Sequence, residues 1–108
     1  MEKMTNVSVP EELIQANELQ KIGDYELSRK IYQSFFESNP THIMRFKALF
    51  EVADNFYHAG RYVEAQQGYQ KFLEYCISQN NLTVDESGWV EAYTELSNSR
   101  LQTIKNRS

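Results

Sequence analysis

Proline, glycine and cysteine are scarce in this chain of 108 residues, which holds two, four and one of them. Breakers this few argue against a many-stranded fold, where turn signals recur about every 8–12 residues. The lone cysteine, Cys76, can close no internal disulfide, and its apolar neighbours Phe72, Leu73, Tyr75 and Ile77 mark it as a small buried hydrophobe. Basic residues are also in deficit, 11 against 15 acidic ones, and the net charge of -4 argues against nucleic acid as a partner. The one dense basic stretch, Arg100, Lys105 and Arg107, falls toward the end of a helical segment, where cations suit the helix dipole. No apolar run approaches membrane-spanning length and Met1 to Val7 holds no signal-peptide core, so a cytoplasmic protein without membrane contact is expected.

Chemistry-bearing motifs are equally thin. The glycines are isolated, so no phosphate-cradling loop forms. His42 and His58 stand 16 residues apart without a second metal-type ligand at helical spacing. No serine occupies a nucleophile elbow, and the pairs Glu11-Glu12 and Asp85-Glu86 fall in first helical turns, where the dipole favours acids. The expectation is a chain with no catalytic residues, no metal and no cofactor.

What the sequence does have is an internal repeat. A shift of 37 residues lays Ala16 on Ala53, Leu19 on Phe56, Gly23 on Gly60 and Tyr25 on Tyr62. The same shift lays Ser28 on Ala65, Tyr32 on Tyr69, Phe35 on Phe72 and Phe36 on Leu73. Each unit reads as two helices around a tight turn. Ser8 and Glu11 have capping-box spacing, and helix one runs from about Pro10 to Ile22, closed by Gly23. Asp24 caps a second helix that ends at Asn39-Pro40. Thr41 opens a third, His42 to about Ala59, closed by Gly60. A fourth spans about Tyr62 to Gln79, and a fifth, with Thr83 and Glu86 at capping-box spacing, runs from near Asp85 to about Lys105. Leu49, Val52, Ala53 and Phe56 recur at i, i+3, i+4, i+7, as do the apolar residues of the fourth helix, and nothing alternates with period two. The fold class is all-α.

These residues resemble the tetratricopeptide signature, W-x2-L-G-x2-Y followed by A-x3-F and P. Leu49-x2-Val52-Ala53-x2-Phe56 and Ala65-x3-Tyr69 fill it in the second unit, with Phe72 beyond. Ala16-x2-Leu19, Gly23-Asp24-Tyr25, Ser28-x3-Tyr32, Phe35 and Pro40 match in the first. Trp89-x2-Ala92-Tyr93-x2-Leu96 looks like a further first helix. The resemblance implies two tandem helical hairpins, 9–42 and 43–80, in a right-handed superhelix. A loop and capping helix over 81–108 would close it, and residues 1–8 would form a flexible N-terminus. Small residues would sit where helices cross, with rings beside them. The two units are 37 residues apart rather than about 34, and the surplus is expected to lengthen the third helix by a turn around Ile43 to Arg45.

The same resemblance implies that the first helix of each pair lines a concave groove that receives a protein or peptide. Its lining would be Asn17, Gln20 and Lys21, then Lys47, Phe50, Asp54, Tyr57 and His58, then Val90, Thr94 and Asn98. An aromatic anchor among charged groups suits peptide recognition, although Phe50 and Tyr57 stand near enough to the core stripe to pack internally. Of the family's two-carboxylate clamp, Asn17 matches one place, while Leu13 and Glu51 stand where a lysine and an asparagine belong. An adaptor is therefore expected, with self-association as a homodimer, or regulation of an enzyme partner, as alternatives.

Overall fold

A computed structural model describes residues 9–107; the expected flexible N-terminus and the Ser8 half of the first capping box lie outside them. Five helices follow in order and no strand occurs among the described residues: α1 Glu11–Lys21, α2 Tyr25–Ser38, α3 Arg45–His58, α4 Tyr62–Ser78 and α5 Val84–Asn106.

The repeat is visible in the backbone. At the end of α1, Gly23 N–H donates to the Gln20 carbonyl (3.1 Å) and Asp24 N–H to that of Leu19 (2.9 Å). At the end of α3, 37 residues on, Gly60 donates to Tyr57 (3.0 Å) and Arg61 to Phe56 (2.9 Å). This bond pair requires a left-handed residue, and Gly23 and Gly60 supply it with φ of 89° and 79°. The Asp24 side chain then accepts from Leu27 N–H at 3.3 Å to start α2, while α4 starts at Arg61 without a side-chain cap. The box at α5 is complete: Thr83 Oγ1 accepts from Glu86 N–H (3.1 Å) and Glu86 Oε1 from Thr83 N–H (3.0 Å).

One boundary departs from expectation. α3 begins at Arg45 rather than His42, and Thr41 does not cap it. The His42 ring holds the backbone out of the helix: its Nδ1 accepts the Met44 amide at 3.0 Å while its edge meets Phe35 at 5.3 Å. The extra residues between the units therefore sit in the turn after Asn39, and α3, with 14 residues, is no longer than α2.

Ala16, Ser28, Ala53 and Ala65 are fully buried, as close helix crossings require. Ser28 Oγ donates to the Ala16 carbonyl at 2.8 Å and accepts from Asn55 Nδ2 at 3.1 Å, which ties α1, α2 and α3 together. Two apolar clusters flank α3. One gathers Leu13, Ala16, Tyr32, Phe35, Met44, Ala48 and Val52; the other gathers Phe46, Phe50, Ala53, Ala65, Tyr69, Phe72, Cys76 and Ile104. Each large side chain withdrawn this way contributes roughly 1.5–3 kcal/mol. Lying between both clusters, α3 is buried on more than the single stripe its periodicity implied, with Phe46, Phe50, Asp54 and Asn55 enclosed as well. Leu49 and Phe56, expected in that stripe, stay partly exposed.

Candidate functional site

The residues expected along a concave groove divide into three groups. Gln20 and Lys47 meet. Both reach Glu51, Gln20 Nε2 to Oε1 at 3.0 Å and Lys47 Nζ to Oε2 at 2.8 Å, so a polar array bridges α1 and α3. Lys47 Nζ also lies 5.9 Å from the centroid of Tyr32. Burial works to lower the Lys47 pKa, but the Glu51 carboxylate outweighs it and holds the ammonium above its ordinary value. Burial, with Glu51 behind it, pushes the Tyr32 phenol up to about 12, so it stays neutral. Asn17 is half-buried beside this array, while Lys21 is exposed and paired with Glu18 at 3.6 Å.

A second group is withdrawn from the surface, which corrects the expected lining. Phe50 is fully enclosed, its ring 4.8 Å from Tyr93, 5.7 Å from Tyr69 and 5.9 Å from Phe72. It packs because α5 lies over it; it is no exposed anchor. Asp54 is buried too, accepting from the Tyr69 hydroxyl, from Arg100 Nε at 2.9 Å, and facing His58 Nε2 at 3.1 Å. That carboxylate joins α3, α4 and α5. The bond to Asp54 raises the Arg100 pKa, and burial followed by Asp54 raises that of Tyr69, so both keep their protons.

The third group is peripheral. Tyr57 lies beneath the Arg100 guanidinium (4.7 Å), exposed His58 stacks on Tyr25 (6.0 Å), and Val90 packs on the second cluster. Thr94 is half-buried and Asn98 exposed. Trp89 and Tyr93, their rings tilted against each other at 5.7 Å and partly exposed, bring aromatic surface that the expected lining left out. Glu51 was missed as well, although its position four residues after Lys47 is an ion-pair signal.

A larger concavity lies elsewhere. Between α2 and α4, over α3, runs a groove of about 700 Å³ floored by Leu49, Val52 and Phe56, with Phe36 and Tyr75 (rings 5.0 Å apart) at one end. A second cavity, about 320 Å³, adjoins it at the turns beginning α2 and α4, and Arg29 and Phe56 line both.

Neither a protein-family model, nor a curated protein, nor a solved structure matches this chain. No three His, Cys, Asp or Glu side chains gather to hold a metal among the described residues, and no described helix is long and apolar enough to cross a membrane. Burial pushes the Cys76 thiol up to about 11, which keeps it protonated and unreactive.

Proposed function

We propose that the chain is a non-catalytic, tetratricopeptide-type interaction module that holds a protein segment across the face formed by α1, α3 and α5. The observation carrying this reading is the Gln20–Glu51–Lys47 array beside the packed rings of Trp89 and Tyr93. An immobilised carboxylate and ammonium next to partly exposed rings offer directional bonds and apolar area at little ordering cost. The matching turns 37 residues apart support the repeat part of the reading. The contact residues are then Asn17, Gln20, Lys47, Trp89 and Tyr93, and Glu51, Phe50 and Asp54 act beneath them as support.

The test uses peptides selected from a random seven-residue display library and titrated into isotope-labelled protein. Resonances of Gln20, Lys47 and the Trp89 indole are expected to move. Lys47→Glu should weaken such peptides about tenfold or more, and because it sets a second carboxylate beside Glu51, circular dichroism at the titration temperature checks that the helices persist. Shifts confined to the outer faces of α2 and α4 for every peptide would remove this face from consideration.

A second reading, self-association, is favoured by strongly exposed apolar side chains, among them Ile22, Val63, Ile77 and Val84. Sedimentation over a wide concentration range decides it. A monomer at every concentration removes the idea.

A further inference from the structure

The groove between α2 and α4 brings two buried, unpartnered polar atoms to one junction. Where groove and cavity meet, Arg29 Nε is a buried donor and Asn55 Oδ1 a buried acceptor, and neither finds a hydrogen-bond partner among the described residues. The orientation of the Asn55 amide is settled by its other end. Nδ2 donates to the Glu51 carbonyl (3.0 Å) and the Ser28 hydroxyl (3.1 Å), and the carbonyl can only accept, so the oxygen must be the free atom. Unmade bonds at buried polar atoms are costly, and in native proteins they recur where a ligand or water completes the set.

The missing partner must both accept and donate. A carboxylate only accepts and would meet the Asn55 oxygen with repulsion; an ammonium only donates and would face two guanidiniums. An amide does both. Charge gives the same answer, because the cations at the junction are already paired: Arg29 with Glu26 at 2.9 Å and Arg61 with Glu64 at 2.7 Å. Both guanidiniums also lie over the Phe56 ring, at 4.9 and 5.1 Å, which fixes them in place. Beyond the junction the floor is apolar, the amides of Gln33 and Gln67 stand on opposite walls, and Lys71 and Glu74, of opposite sign, line the α4 wall, so the groove favours neither charge. Glu64 and Tyr75 line the α4 wall, 11 residues apart. At 1.5 Å per residue that wall is about 16 Å long, room for roughly five residues of extended chain.

We propose that this groove binds an extended, uncharged segment of a partner protein, with one backbone amide completing Arg29 Nε and Asn55 Oδ1 and apolar side chains lying on Leu49, Val52 and Phe56. The inference shares with the reading above the premise that the chain holds protein segments, and it makes no use of the α1–α3–α5 face.

The same display library supplies the probe, and its binders are sorted by which variant abolishes them. A class of uncharged, apolar peptides is expected to bind the parent and Lys47→Glu equally. These peptides should lose about tenfold or more in affinity to Arg29→Lys, which keeps the cation but removes Nε. Gln67→Trp, a plug at an exposed wall position, should abolish them, and it preserves the test if Arg29→Lys melts early. In spectra, the Arg29 Nε–H signal should shift and exchange more slowly with water when the peptide is present. The inference is overturned if no selected peptide responds to Arg29→Lys or Gln67→Trp. Binders that require a charged side chain overturn it too, as does a complex in which water alone bridges Arg29 and Asn55. Peptides sensitive to Lys47→Glu alone would overturn it while leaving the earlier reading standing.

Discussion

At the scale of single residues, Arg45 concentrates more bonding than any neighbour of like charge. Buried in the first turn of α3, it donates to the Tyr75 hydroxyl (2.9 Å), the His42 carbonyl (2.9 Å) and Glu86 Oε2 (2.8 Å). Arg45→Met would strand Glu86 and those oxygens, and a loss of about 3 kcal/mol or more is expected in chemical denaturation. Glu86 adds a pH dependence. Its carboxyl is held below the ordinary carboxylate range by the Thr83 backbone amide first and by Arg45 next. A folded-state pKa below the unfolded one stabilises the fold above the unfolded value, about 4.3, and that contribution disappears as pH falls through the folded value. Glu86→Gln should therefore lower the melting temperature at neutral pH, and its gap to the parent should narrow as pH falls through the carboxylate range. A gap that stays constant across that range would show that Glu86 does not act through its charge.

Between elements, α3 and α4 approach closely at Gly68 of α4. A Cβ built there would stand 2.7 Å from Ala53 Cβ and 3.0 Å from its Cα, which is backbone and cannot swing aside. Gly68→Ala should gain up to about 1 kcal/mol in helix propensity, yet forcing α3 and α4 apart costs roughly 1–3 kcal/mol. A net loss is expected in thermal melts; a stabilised variant would mean the two helices sit farther apart than described. No sequence signal pointed to this contact, because the 37-residue shift sets Gly68 against Ile31, a different size of residue. Other element features were legible for local reasons. Gly23 and Gly60 announce left-handed turns, Asp24 and Thr83 announce caps, and each acts on backbone within five residues of itself. The start of α3 was not, since the His42 ring competes with the helix through a side-chain bond that composition does not reveal.

The whole molecule is elongated, about 50 × 31 × 21 Å, and α5 supplies much of what the two hairpins cannot cover themselves. It brings Tyr93 onto Phe50, Trp89 toward the first cluster and Ile104 into the second. A chain ending at Asn81 is expected to lose its cooperative melt and to bind hydrophobic dyes; a sharp transition in that fragment would show the hairpins suffice. This long-range docking is also why the candidate site was only half legible. The resemblance put Gln20 and Lys47 along one groove, and both reach Glu51. Neither it nor periodicity at 100° per residue says what lies across that face, so Asp54, and Phe50 as one of two options, were set on a surface that α5 covers. The Ser28–Asn55 bond reaches further still, into the order in which the hairpins can be joined. Ala65, the counterpart of Ser28 in the second unit, has no hydroxyl to meet an asparagine. A longer array made by duplicating the second unit would set Asn55 of each added copy against a methyl group, and would need serine restored at that crossing to stack.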